Sequence, residues 1–202
     1  YKEESKFVGY DVLENTTKII TLIKDNKFVD SITDNGYVVL EETPFYAESG
    51  GQVADTGYIM TDIMNAKVLD VIKAPNGQHL MFIEVINGTL STGMEVKTSV
   101  DKQKRLDTCK NHSSVHIIQK TLQELLSDSV HQAGSKVDEN TFRFDFTYQG
   151  KLSDEIILDV ERRANERVNM AVDTKIEIMP LNDAIKLGAM ALFEDKYGSN
   201  VR

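Results

Sequence analysis

The 202-residue chain is predicted to be an α+β protein: a small antiparallel β-barrel over residues 1–100, then an α+β subdomain over residues 101–202. Three observations predict this. Up to about Val100 the apolar residues fall in short, β-branched runs, and beyond it they recur at helical spacing. Asn-Gly pairs punctuate the first half. The second half opens on a long helical stretch carrying two histidines four residues apart, His112 and His116.

The first half supplies "TKIITLIK", "KFVDSI", "YVVLEE", "KVLDVIK", "HLMFIEVI" and "EVKTSV" as strands. Asn35-Gly36, Asn76-Gly77 and Asn87-Gly88 are read as tight turns between them, because this dipeptide accepts positive φ. Short antiparallel strands at this spacing close most simply into a barrel or sandwich. After Val100, "DKQKRLDTCKNHSSVHIIQKTLQELLS" is predicted to be helical, with Leu106, Ile117, Ile118, Leu122 and Leu125 among its apolar positions. "TFRFDFTY" alternates as a strand, with Phe142, Phe144 and Phe146 on one face. A long helix follows, capped by Ser153 with acids in its first turn. "TKIEIMP" is predicted as a strand ending at Pro180, and "LNDAIKLGAMALFEDKYG" as a further helix.

Composition excludes several classes. No apolar stretch reaches the roughly 18 residues of a membrane span. The N-terminal "YKEESKFVGYDVLE" is charged and has no apolar signal core. A single cysteine excludes an internal disulfide and suits a reducing cytoplasm, which is the expected location. Net charge is −9, unevenly spread. Residues 1–100 carry 8 Lys/Arg against 15 Asp/Glu, and residues 101–202 carry 15 against 17. Only the second half can therefore offer a basic face to a polyanion. The lack of an initiator Met leads us to expect an excised piece of a longer chain.

His112 and His116 lie one turn apart on one helix face, so both rings can reach one ion. The spacing alone fits capping and packing equally well. The usual H-E-x-x-H metalloprotease pattern is not met, since Ser113 and Ser114 stand where a glutamate general base would be. Cys109 is about 10 Å along the helix axis from His116, too far to share an ion with both histidines. It is read as a small buried apolar residue. His79 and His131 are the remaining histidines, and neither has ligand spacing. The chain thus presents half of a metal site. A second signal is "TPFYAESGGQVADTGYI", where Gly50-Gly51 permits close backbone approach. Tyr46, Glu48, Gln52 and Asp55 surround the two glycines.

Six stretches, "TPFYAESGGQVADTG", "NHSSVHIIQKTL", "VHQAGSKV", "FRFDF", "VERRANERV" and "AIKLGAMALFEDKYGSNVR", occur in the order seen in the editing region of alanyl-tRNA synthetase. The chain resembles that region over nearly its whole length. It is also similar to free-standing alanyl-tRNA editing proteins and to the threonyl-tRNA synthetase editing domain. The resemblance implies that His112 and His116 are zinc ligands in the full-length protein. A cysteine and a histidine of a C-G-G-T-H stretch complete the set in the family. That stretch would follow Arg202, so this chain by itself is expected to hold little or no zinc and to be inactive or weakly active. Two departures from the family wording are Ser114-Val115, where Ala-Thr is common, and "ALFEDKYG".

The resemblance implies a hydrolase acting on the ester of seryl- or glycyl-tRNA for alanine. An alanine pocket cannot exclude glycine by size and rejects serine only weakly, so a second, hydrolytic site must supply accuracy. Zinc would either generate hydroxide or hold the substrate in register. Gln132 matches a family glutamine beside the amino-acid pocket; its alternative role is a helix-end cap. Ser113 is placed to sense a serine hydroxyl or merely to cap. Gly50 and Gly51 are expected at the barrel–helix junction near the substrate. Arg105 is a candidate tRNA contact, with Lys102, Lys104, Lys110 and Lys120 on the same helix and Arg162, Arg163 and Arg167 on the next. The expected partners are tRNA for alanine and the remainder of the synthetase chain, with no membrane. The competing reading is a non-catalytic tRNA-binding or spacer module. Aminoacylation itself is excluded, because no ATP-binding synthetase core fits a two-part chain of this kind.

Overall fold

The structure, a computed structural model, describes residues 5–189 and 198–201. In chain order the first strands are β1 (Lys6–Phe7), β2 (Glu14–Lys24), β3 (Lys27–Val29), β4 (Ser31–Ile32), β5 (Asn35–Leu40) and β6 (Glu42–Thr43). They are followed by β7 (Gly57–Met60), β8 (Asn65–Lys73), β9 (His79–Asn87), β10 (Leu90–Ser91) and β11 (Glu95–Val100). Then come α1 (Lys102–Leu125), β12 (Gln132–Val137), β13 (Phe142–Phe146), α2 (Asp154–Asn169), β14 (Met179–Pro180), α3 (Leu181–Lys186) and β15 (Asn200–Val201).

The α+β prediction holds, with a closed six-stranded antiparallel barrel at its start. The strand order is β11-β7-β8-β9-β5-β2, and β2 pairs back onto β11 to close the circle. β2 does this by changing partners along its length. Glu14–Lys18 pairs with β11 and Ile19–Ile23 pairs with β5, with a register irregularity between Ile19 and Thr21. Such an irregularity adds the local twist that closure requires. Inside lie Ile19, Leu22, Val38, Leu40, Ile59, Val68, Val71, Met81, Ile83 and Val96, each at most 1% exposed. In β8 the buried positions run Ala66, Val68, then Val71. The alternation slips by one residue where the register shifts between Val68 and Asp70.

Several turn and strand expectations are corrected. Asn76-Gly77 and Asn87-Gly88 adopt the predicted positive φ at glycine, 86° and 80°. Asn35-Gly36 instead begins β5. A Cβ on Gly36 would come within 2.8 Å of the Ile23 carbonyl oxygen, so this glycine serves close strand packing. The tight turn lies earlier, at Asp25-Asn26, two non-glycine residues with φ of 50° and 60°. β7, "GYIM", is a barrel strand that the periodicity did not separate from the glycine stretch before it. Residues 172–178 are irregular, and of "TKIEIMP" only Met179–Pro180 is paired among the described residues, with β15. Of the predicted last helix, α3 covers six residues; Met190–Tyr197 lie outside the described residues.

The helical predictions for α1 and α2 hold. Ser153 caps α2, its hydroxyl accepting from the Ile156 N–H at 3.3 Å. In β13 the Phe144 and Phe146 rings stack at 5.7 Å. No helix among the described residues is long and apolar enough to cross a membrane. The chain divides into two compact units. One comprises Tyr1–Ser113 with Ser135–Arg143, and the other comprises Ser114–Gly134 with Phe144–Arg202. α1 begins in the first unit and ends in the second.

His79, at the start of β9, donates from Nδ1 to the Phe45 carbonyl at 2.9 Å and packs against the Phe7 ring. Desolvation holds its pKa below the ordinary imidazole value, outweighing the carbonyl that favours the charged ring. The unfolded chain therefore binds a proton more readily than the folded one. Stability should be complete above the unfolded value near 6.5 and fall as pH drops through it toward the folded value. His79→Gln should flatten the dependence of urea-melt stability between pH 7 and 5. An unchanged slope would assign the acid sensitivity to other groups.

Candidate functional site

Arg105, Asp55, the Gly50-Gly51 pair, Gln52 and His112 are gathered within the first unit by a loop, the far end of a hairpin strand and the first half of α1. Asp101 caps α1, its carboxylate accepting from the Lys104 N–H at 3.0 Å. One turn on, Arg105 reaches Asp55 and two backbone carbonyls. Its Nε donates to Asp55 Oδ1 at 2.9 Å, one Nη donates to the Gly9 carbonyl at 2.7 Å and the other to the Pro44 carbonyl at 3.0 Å and to Asp55 Oδ2. Burial opposes the guanidinium charge, but the hydrogen bond and charge of Asp55 outweigh it and push the pKa up. Asp55 also accepts from the Tyr46 N–H at 2.7 Å. The loop 44–55 is thereby fixed at both ends to the start of α1.

The glycine stretch sits within this loop. Gly50 and Gly51 have φ of 61° and 82°. Nothing surrounds a Cβ at Gly50, whereas a Cβ at Gly51 would meet Ser135 O and Oγ at 2.5 Å. Gly51 thus lets the loop lie flat on β12. There the Val137 N–H donates to Gly51 O at 2.8 Å and the Val53 N–H donates to Val137 O at 3.0 Å. Gln52, between these bonds, is 6% exposed, and its side chain is directed to α1. His112 Nδ1 lies 2.6 Å from Gln52 Oε1. A carbonyl oxygen only accepts, so this contact calls for the Nδ1–H tautomer of His112. One residue before, Asn111 Nδ2 donates to the Asp138 carbonyl at 2.8 Å, tying the same helical turn to the end of β12.

His116 follows one helical turn later. It is exposed, yet nearby protein withdraws enough water from its ring to lower its pKa. The buried positions farther along α1 are not the expected apolar stripe. Val115 and Leu122 are buried, but so are Gln119 and Thr121, both 0% exposed. Leu106 is 47% exposed. Cys109 is also exposed rather than buried, correcting that expectation, and partial desolvation pushes its thiol pKa up.

A profile described as class II tRNA synthetases (A) matches residues 1–104. The alanine–tRNA ligase of Listeria innocua is 45% identical over 202 residues, covering 99% of this chain. The chain belongs to the alanyl-tRNA synthetase family. The alanine–tRNA ligases of Staphylococcus saprophyticus and Bacillus cereus are 44% and 39% identical, over 98% and 100% of this chain. Each of these three matches covers 23% of the relative, so the chain spans about a quarter of the ligases it resembles.

His112 and His116 are one turn apart on α1, with Ser113 exposed between them. Gln132 is half-buried at the first position of β12. Gly50 and Gly51 shape the loop that carries Gln52 to His112. The donors of Arg105 are directed at Asp55, Gly9 and Pro44, inside the first unit. The other basic residues on the helices are partly engaged: Lys110 pairs with Asp107, Arg162 with Asp159 and Glu166, and Arg167 with Glu124. Exposed pairs of this kind are weak and solvent-screened, so they exchange readily for phosphate. Gln52 and Asp55 are the functional-looking residues whose partners the sequence did not name. Their only signal was the crowding of polar residues around Gly50-Gly51.

The donor set fits two positions of a family-type zinc site. The two histidines are one turn apart on α1, and an Nδ1–H tautomer of His112 would leave Nε2 as its electron-pair nitrogen. Among the described residues no group of three or more His, Cys, Asp and Glu is gathered as a metal site.

Proposed function

We propose that this chain is the editing part of an alanine–tRNA ligase, a cytoplasmic enzyme segment that hydrolyses seryl- or glycyl-tRNA for alanine. The observation that carries the reading is the helical pair His112 and His116, with His112 gripped at Nδ1 by the buried Gln52. Outer-shell hydrogen bonds of this type accompany ligating histidines and fix their tautomer. The six ordered motifs and the ligase relatives support the same reading.

In this reading His112 and His116 hold zinc together with two donors from elsewhere in the ligase. The ion would supply Lewis-acid polarisation of the ester or of a water. Water adds to the ester carbonyl carbon, the bond to the terminal ribose oxygen breaks, and free amino acid and uncharged tRNA leave. The half-buried Gln132 amide orients the amino acid by hydrogen bonding, and Ser113 lies beside the metal pair where a serine hydroxyl would be sensed. Lysines and arginines exposed on α1 and α2 contact phosphates of the acceptor end. The Arg105 fork holds the loop 44–55 in place instead of binding RNA.

The test is a deacylation assay with a ligase containing this segment. His112→Ala should slow hydrolysis of seryl-tRNA by about 100-fold or more, beyond the usual loss on removing an outer-shell partner. Alanine charging should stay nearly intact, because synthesis occurs elsewhere in the ligase. Unchanged deacylation would favour the non-catalytic tRNA-binding or spacer module. Equal loss of both activities would indicate misfolding or a shared site.

A further inference from the structure

We propose that Gln52 is a positioning residue for His112: its buried side-chain carbonyl holds the imidazole as the Nδ1–H tautomer, so that Nε2 is the nitrogen presented for ligation. The metal part of this inference rests on the function proposed above, whereas the tautomer part stands by itself.

Three observations combine. The first is polarity. Oε1 can only accept, and it lies 2.6 Å from Nδ1, so the ring must be the donor there. In water a neutral histidine side chain prefers the hydrogen on Nε2, so Gln52 imposes the less favoured form. The second is rigidity. Gln52 cannot swing away, since its own N–H donates to Ser49 O at 3.0 Å and its carbonyl accepts from the Ser49 N–H at 3.2 Å. A parallel bridge to Val137 fixes it from the other side. The third is burial. At 6% exposure the amide has little access to water, so losing the Nδ1 hydrogen would leave a buried carbonyl facing a lone pair. The glycine loop therefore acts on α1 across 60 residues of sequence through one hydrogen bond.

The same bond explains why Nε2 is the useful atom. A ring whose Nδ1 is held by an acceptor has its plane and direction set, and ligation through Nε2 no longer has to select a rotamer or tautomer. His116, on the same helix face, needs only the helix to place it. Within the first unit, the His112 ring is thus aimed by α1 and the loop jointly.

The experiment uses the 202-residue chain with 15N-labelled histidine at pH 8, above the ordinary imidazole range, and two-bond 1H–15N correlation spectra to read each tautomer. His112 should be the Nδ1–H form. Gln52→Met, similar in shape but without the acceptor, should turn it to the Nε2–H form, while Gln52→Glu, which restores an acceptor, should retain Nδ1–H. Backbone amide spectra of the barrel should be unchanged in both, which separates the effect from misfolding. Titration with Co2+ alone should then show affinity reduced about 10–100-fold in Gln52→Met. An Nε2–H ring in the unsubstituted chain, or an Nδ1–H ring persisting in Gln52→Met, overturns the proposal. A tautomer change with no Co2+ binding in any variant supports Gln52 as the positioning residue and shows only that two histidines without the remaining donors do not hold the ion.

Discussion

Arg105→Ala should destabilise the protein by about 3–5 kcal/mol, the range for breaking a buried ion pair by removing one partner. The side chains of Arg105 and Asp55 are 11% and 5% exposed, so the substitution strands a buried carboxylate. It also removes the donors that serve the Gly9 and Pro44 carbonyls. Against a typical total of about 5–15 kcal/mol, such a loss is a large share of the folding free energy. The measurement is urea unfolding at pH 7, read as a shift of midpoint at constant slope. Arg105→Lys should recover only part of the loss, since an ammonium cannot serve three acceptors in one plane. The pair Arg105→Met with Asp55→Asn should be more stable than Arg105→Ala, because no charge is left unpaired. A loss below about 1 kcal/mol in Arg105→Ala would place the pair in the solvent-screened class.

Gly51→Ala should cost about 2–5 kcal/mol, adding backbone strain at φ of 82° to a clash with the Ser135 carbonyl. Gly50→Ala is the internal control. It has a similar φ of 61° but open space around the added methyl, so about 1–2 kcal/mol is expected. The difference between the two isolates the close approach from the torsion. Gly51→Ala should also disturb the Gln52–His112 bond, because Gly51 O and Val53 N are the atoms that clip the loop to Val137. Thermal melts of the two variants, compared with histidine 15N spectra, check both parts. Equal costs at the two positions would show that the contact with Ser135 is unimportant.

Much of the fold was legible because it depends on local periodicity. The change of period near Val100, the helix bearing both histidines and the Ser153 cap are all set by residues within a few positions of one another. The errors share another cause. Asn35-Gly36 has turn chemistry, but the deciding contact is with Ile23 and Ile32, which no dipeptide rule contains. "TKIEIM" has strand composition, yet a strand needs a partner, and among the described residues only Met179–Pro180 finds one. Cys109 and Leu106 face outward because the inner face of α1 is taken by Thr108, Val115, Gln119 and Leu122, two of them polar. For the candidate site, the histidine spacing was visible from the helix alone. The partner of His112 was not, since Gln52 is 60 residues away and is delivered by a loop conformation.

The change of partners along β2 also bears on how the protein is born. The pairing of Asn15 with Thr98 spans 83 residues, so the first barrel strand is made long before the last one that completes it. At about 5–20 residues per second of synthesis, the front half of β2 waits roughly 4–17 s with its hydrogen-bonding edge unpaired. The back half can already pair with β3 and β5 during that interval. Closure is therefore a late, non-local event, of the kind that makes barrels fold in milliseconds to seconds once the chain is complete. The exposed stretch Glu14–Lys18 alternates glutamate, asparagine, threonine and lysine with no large apolar side chain. A waiting edge of that composition offers little to a passing chain, which protects the nascent protein from pairing with its neighbours on the same message.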